Sequence, residues 1–512
     1  MSKSLWIVSR EYAGLAEAGG VKNVVRAIAE GTMKLGLDVC VFIPNYGCTK
    51  IEKIQFVKTE NRHIGYIECE GKIYDVGFLE GLFHGVKFVL ICADVFSKKT
   101  SVYTYTKSDE IFHPKFVTGK GHFDSNLMNV IFQKAVVLYS QITGEVPNIV
   151  HCHDGHTALL PALSKASPLL RKRFADTKFV VTIHNAGEGY HQEFSSIQEA
   201  YSLSGLPQEQ LRQGLLNDKV EPFLLAAAMN ATITTVSPWY AEELLEDKGK
   251  FSDDLGPALY HKGVDIKGIT NGMDIEKYDP GNNAISLLPE KFDLEKSIEG
   301  KYLCREKFLS QIKESNFEEE GLEKFGTLDC GDDAVFFVYQ GRLAHQKGVD
   351  ILSDVVGKVL NTHKNARFIV MGQGDQELEN IQISLSEKFP GKYLFIRGYN
   401  KAISRLCIAS GDFVLLPSRF EPCGLVDFIA QIYGTVPIAH NTGGFKKIID
   451  GKTGSLYDDS LENAINRILE RYPNPRKDLH QIRVDALKNI EENYLWQHVI
   501  KEKYLPIYFS EE

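Results

Sequence analysis

Short apolar runs recur along the chain, each followed by a stretch whose apolar positions fall at helical spacing. In the first half the runs lie at residues 5–9, 39–43, 87–91, 149–153, 179–183, 233–236 and 267–270. Continuous apolar strands alternating with amphipathic helices predict β-α-β units wound around a parallel sheet. From about residue 278 to 333 the pattern breaks into polar, charged sequence of mostly helical period. A second set of runs then follows at 335–340, 367–372, 393–397, 413–416 and 436–439. The prediction is an α/β chain of two doubly wound, Rossmann-like domains facing across a cleft. Its expected parts are an N-terminal domain over 1–275, an inter-domain connection over 276–333, a C-terminal domain over 334–480 and a helical tail over 481–512. The tail carries Tyr494, Trp496, Tyr504 and Tyr508, and is expected to dock on a domain surface.

At 512 residues, 43% hydrophobic and 24% charged, the chain can bury two full-sized cores. Its net charge of −9 comes with lysines and acids interspersed and no basic block, which argues against a nucleic-acid or polyanion partner. A neutral or small anionic substrate fits better. Nine cysteines with no C-x-x-C pair predict reduced thiols in a cytoplasmic protein. The start runs straight into a strand, so no signal or transit peptide is expected, and no apolar run reaches membrane-spanning length.

The candidate chemistry sits at strand ends, where open α/β sheets bind ligands. After the run at 413–416 comes Pro417-Ser418-Arg419-Phe420-Glu421-Pro422-Cys423-Gly424-Leu425, which places Glu421 in a turn fixed by proline and opened by glycine. A carboxylate pinned there can accept hydrogen bonds from two adjacent sugar hydroxyls; a plain turn with a solvated glutamate is the bland alternative. After 335–340 comes Gly341-Arg342-Leu343-Ala344-His345-Gln346-Lys347-Gly348, whose two cations can both reach one diphosphate. The glycine turns Gly372-Gln373-Gly374 and Thr442-Gly443-Gly444 are weaker signals, the second better placed to offer N–H donors.

In the first domain, Ala18-Gly19-Gly20-Val21-Lys22 follows the first strand and opens a helix whose N-terminus favours an anion. His151-Cys152-His153-Asp154-Gly155-His156 and Thr182-Ile183-His184-Asn185 end two further strands and can hydrogen-bond a sugar ring. The histidine cluster also raises a di-zinc hydrolase as a rival, but that pattern is H-x-H-x-D-H and this one is H-x-H-D-x-H, with no second ligand run.

Apart from the Gly372-Gln373-Gly374 turn, these segments, with Val236-Ser237-Pro238, Gly268-Ile269-Thr270-Asn271-Gly272-Met273-Asp274 and Tyr433-Gly434-Thr435-Val436-Pro437, occur in the order of one family. Over nearly its whole length the chain resembles the bacterial glycogen synthase and plant starch synthase family, retaining glucosyltransferases of the two-domain GT-B type. The resemblance implies ADP-glucose as donor, the non-reducing end of an α-1,4-glucan such as glycogen as acceptor, and no bound metal or other cofactor. No membrane or nucleic-acid partner is implied. By position, Arg342 and Lys347 hold the donor diphosphate, Glu421 with Cys423, Gly424 and Leu425 holds the transferred glucose, and Thr442, Gly443 and Gly444 add phosphate contacts. Asp154, His184, Asn185 and Asn271 line the sugar site, Gly19 and Gly20 approach the donor, and Tyr399 matches a tyrosine that stacks on adenine.

Several positions depart from the family. Glu17 stands where a lysine reaches the donor phosphate, and Lys22 and Arg10 are the nearby cations that can replace it. Asn23 and Lys447 replace aspartates, Gly155 a tryptophan, Leu224 a lysine, and His440-Asn441 lies where an arginine is expected. These departures keep two alternatives open: a glucosyltransferase of the same fold using UDP-glucose or a small acceptor, and a catalytically impaired glucan-binding relative.

Overall fold

The computed structural model describes residues 3–57, 64–187, 189–246, 251–314, 317, 321–331 and 333–510. The chain divides into two compact units, unit 1 comprising residues 1–271 and 496–512 and unit 2 residues 272–495.

Unit 1 is built on a parallel sheet. Its strands run in the spatial order Lys267–Gly268, Thr232–Thr235, Lys178–Ile183, Ile149–His153, Ser4–Val8, Asp38–Pro44, Val86–Cys92. Every neighbouring pair in that series is parallel. Helices cover both faces, which is why the central strands read as unbroken apolar runs. Beyond Val86–Cys92 the sheet turns antiparallel through Lys72–Phe83, which also pairs with Gln55–Phe56 and Ile64–Cys69. This extension is only half-buried and interrupted by Gly77 and Gly81, so it gives no continuous run.

Unit 2 repeats the plan in the order Glu323–Leu328, Lys392–Arg397, Ala366–Gly372, Val335–Gln340, Phe413–Leu416, Val436–His440, Ser455–Tyr457. Only the first of these, at the edge, is antiparallel. In each unit the chain leaves its first parallel strand toward one side and later returns to the other. That reversal opens a crevice between Ser4–Val8 and Ile149–His153 in unit 1, and between Val335–Gln340 and Phe413–Leu416 in unit 2. Ligands in such sheets bind at this switch point, beyond the carboxyl ends of the strands.

Two expected boundaries differ. Residues 276–333 are not a separate connection but part of unit 2. Helix Glu299–Glu314 buries Lys301, whose ammonium donates to Ala409 O, Tyr433 O and Thr435 Oγ1, and Arg305, which donates to Ser410 O and Asp412 Oδ1. The two side chains, one helical turn apart, satisfy carbonyls left open at the end of helix Lys401–Ser410. The tail is likewise divided. Helix His480–Asn493 stays with unit 2, whereas Val499, Ile500, Tyr504 and Tyr508 enter the apolar core of unit 1. Ile500 packs so closely on Gly31 that a Cβ there would lie 2.2 Å from it. No described helix is long and apolar enough to cross a membrane.

Candidate functional site

At the switch point of unit 2, three turns are packed backbone against backbone. Gly348 has φ +67, and a Cβ on it would lie 2.0 Å from Pro417 O. A Cβ on Gly444 would lie 2.1 Å from Cys423 O, and Gly444 N donates to Glu421 O at 2.7 Å. Arg419 N donates to Gln346 O, and the Arg419 guanidinium forks onto Asp350. The glycines permit approaches that any side chain would block.

This packing brings together the Lys347 ammonium and the Glu421 carboxylate, 2.5 Å apart, with Ser418 Oγ also donating to Glu421 at 3.3 Å. Glu421 is buried and Lys347 half-buried. Arg342 is exposed, and among the described residues its guanidinium bonds only Gln346 Oε1, at 3.2 Å, so its fork can swing to an incoming anion. Thr442, Gly443 and Gly444 are buried against the Glu421 turn. Tyr399 stands at a strand end with 69% of its surface exposed, a ring face open to stacking. His440, where the family arginine was expected, turns inward to Ser418 O.

At the switch point of unit 1, Asp154 adopts a left-handed backbone, φ 62, and its Oδ1 accepts from His184 N at 2.8 Å. His184 Nε2 lies 2.9 Å from His153 Nδ1, and His151 bridges Tyr508 OH and Thr182 Oγ1. Burial keeps these imidazoles neutral, pushing His151 and His184 down to about 3, while it pushes Asp154 up to about 7. Asn185 Oδ1 is taken by Gly187 N, and the buried Asn271 Oδ1 has no hydrogen-bond partner among the described residues. Gly155 cannot carry the family's tryptophan, because a Cβ would lie 2.1 Å from His191 O. Leu224 is wholly buried.

The glycine loop holds a residue that the sequence pattern did not mark. Glu11 is buried just beyond the first strand, and its Oε2 accepts from Ala18 N at 3.0 Å and Gly19 N at 2.7 Å. The anion seat expected at Gly19 is thus filled by the chain's own carboxylate, while Gly20 is exposed with open space at its Cβ position. Burial raises the Glu11 carboxyl. Glu17 pairs with Lys50 at 3.0 Å on the surface. Arg10 is buried and spends its guanidinium on Tyr46 OH, Asn129 Oδ1 and Val102 O, which leaves Lys22 as the cation of this loop that can meet a phosphate. Because exposed pairs contribute little, Glu17→Ala is expected to change stability by less than about 1 kcal/mol, measured by denaturant unfolding.

One group among the described residues, His191, Glu193 and Glu221, has donor atoms close enough to hold a metal. Both ring nitrogens of His191 already face oxygens, Glu221 Oε2 at 3.0 Å and Ala186 O at 2.8 Å. The buried carboxylate raises this imidazole to about 9, so it stands as an imidazolium in an ion pair. A doubly protonated ring offers no lone pair to a metal.

Residues 4–259 match the family model of the starch synthase catalytic domain, and residues 323–485 match that of glycosyl transferases group 1. A glycogen synthase from Thermodesulfovibrio yellowstonii is 30% identical over 98% of this chain and 97% of its own length. A second, from Exiguobacterium sibiricum, is 28% identical over 98% of each. Among solved structures, the catalytic domain of starch synthase IV from Arabidopsis thaliana, bound to ADP and acarbose, superposes with a TM-score of 0.77 at 23% identity. That likeness covers 99% of this chain and 98% of the other.

Proposed function

The chain belongs to the starch and glycogen synthase family, glycosyltransferases of GT-B architecture, and from that premise we propose that it extends α-1,4-glucans such as glycogen with glucose from ADP-glucose, retaining configuration. The observation that carries the reading is the Lys347–Glu421 pair, set by three glycine-packed turns at the switch point of unit 2. A diphosphate meets Lys347 and the swinging Arg342, while Glu421 and the Cys423-Gly424-Leu425 turn take the glucose hydroxyls. Thr442, Gly443 and Gly444 add phosphate contacts, and Tyr399 stacks on adenine. In unit 1 the same reading assigns sugar contacts to Asp154, His184, Asn185 and Asn271.

Departure of the diphosphate leaves positive charge on the sugar and negative charge on the leaving group. Cations already in place are therefore worth most in the transition state. With Arg342 and Lys347 in that role, no metal or cofactor is needed, and transfer is expected to survive EDTA unchanged; a rate that collapses with chelator and returns with Mg²⁺ would refute this. We place the enzyme in the cytoplasm, where nine cysteines without a C-x-x-C pair are at home as thiols.

The deciding experiment is transfer of labelled glucose to glycogen from ADP-glucose and UDP-glucose side by side. Preference for ADP-glucose is expected. Preference for UDP-glucose identifies the changed-donor alternative, and transfer from neither identifies a glucan-binding relative. Tyr399→Ala is expected to weaken ADP-glucose binding about tenfold, since stacking on a base is worth roughly 1–3 kcal/mol. Isothermal titration of the variant reads this directly.

A further inference from the structure

Lys447 stands where the family carries an aspartate, and it is buried, with only 1% of its side chain exposed. Its ammonium donates to Cys423 O at 2.5 Å, Gly424 O at 3.0 Å and Gly444 O at 3.0 Å. The fourth neighbour is the wholly buried carboxylate of Asp427, whose Oδ2 lies 2.9 Å away. Three carbonyls and one carboxylate thus surround a single ammonium; burial raises the Asp427 carboxyl, and the charge of Lys447 works against that rise. The ring of Phe428 lies 4.6 Å beneath the ammonium.

The consequence follows from peptide planarity. The C=O of one residue and the N–H of the next point in opposite directions across a trans peptide. With the carbonyls of Cys423 and Gly424 drawn onto Lys447, the N–H groups of Gly424 and Leu425 are aimed away from it. A hydrogen bond at one end of a peptide also polarises the other end, which strengthens those N–H groups as donors to an anion or a sugar oxygen. Gly444 N already binds Glu421 O, so the lysine closes a second link between the turn carrying Glu421 and the turn carrying Thr442 to Gly444.

We propose that Lys447 and Asp427 are positioning residues of the donor site, a buried ion pair that locks these two turns into one unit and aims the Gly424 and Leu425 amides at the nucleotide sugar. The inference rests on the reading that these turns hold the donor. A lysine here does what a carboxylate could not, because only a donor group can gather three carbonyls. The other titratable groups near the pair are Glu421 and Cys423 in the same turn and Tyr494. Of these only Glu421 carries a charge to offer the lysine, and it is engaged with Lys347.

The test uses the full chain, with ADP-glucose as titrant. Lys447→Met keeps the length and loses the three donors. It is expected to raise the Kd for ADP-glucose about tenfold or more, the worth of one hydrogen bond to a charged group, while the KM for glycogen stays within about twofold. Asp427→Asn keeps the lysine but removes its counter-charge. Donor affinity in Asp427→Asn is therefore expected to fall about tenfold or more, again with the KM for glycogen within about twofold. Affinity equal to the natural protein's in Lys447→Met overturns the proposal, as does affinity equal to the natural protein's in Asp427→Asn; the second variant decides if the first does not fold. A natural protein that binds neither ADP-glucose nor UDP-glucose would instead overturn the reading of the site itself.

Discussion

Replacing Lys347 with methionine is expected to lower the turnover number about 10²–10³-fold at saturating ADP-glucose, with little change in donor KM. The reason lies in the pair that Lys347 already makes. Its ammonium sits 2.5 Å from Glu421 Oε2 before any donor arrives. On binding, it exchanges one anion for another, so the net gain in the ground state is small. As the glycosidic bond breaks, the leaving diphosphate takes on a further charge, and the cation held beside it is worth more. A contact that strengthens only in the transition state appears in kcat. Glu421→Gln complements this. It keeps the shape and some hydrogen bonding to the glucose but removes the charge that neutralises Lys347. Turnover is expected to fall by a similar factor, while donor KM stays level or drops, because the released ammonium is free for the phosphates. Steady-state kinetics of both variants decide the matter, and near-normal turnover in either one removes the role assigned to it.

That Lys347 and Glu421 meet was legible because the turns that carry them are spelled out by residue type. Gly348 must take a left-handed conformation against Pro417, and Gly444 must let Cys423 approach. Requirements that only glycine meets leave a mark in sequence. Continuous apolar strands left an equally plain mark, since burial on both faces forbids alternation. What stayed hidden was polar and buried. Lys301, Arg305 and Lys447 look like solvated residues in sequence, and their use became visible only once the carbonyls they gather were located. Burying such groups is tolerated when their donors are filled, and no local pattern announces acceptors that lie more than a hundred positions on for Lys301 and Arg305, or in the Cys423-Gly424 turn for Lys447. Glu11 is a similar case. A carboxylate two residues past a strand end is unremarkable until the N–H groups of Ala18 and Gly19 close on it. The half-exposed strand Lys72–Phe83 was missed for the opposite reason, because too little of it is buried to make a run.

The last expected result concerns pH and Asp154. Burial holds its carboxyl up at about 7, against an ordinary 3.8, and the nearby Glu11 adds to the effect, while the N–H of His184 works against it. Between those two values the native state binds a proton that the unfolded chain does not. Stability therefore falls as the pH rises from about 4 to 7, by up to about 1.4 kcal/mol per unit for this one group, and is level above. Other groups titrate in the same window, so the measurement is a difference. Unfolding free energies of the natural protein and of Asp154→Asn are compared at each pH, and the natural protein is expected to lose ground to the variant steadily up to neutrality. Activity runs the other way. If the carboxylate is the form that meets the positive charge developing on the sugar, kcat/KM climbs about tenfold per pH unit below 7 and then levels. Asp154→Asn, neutral throughout, is expected to be slow and to lack that rise. A stability difference that is flat between pH 4 and 7 would mean that Asp154 titrates in the ordinary carboxylate range, and a rise in activity that persists in the variant would assign the titration to another group.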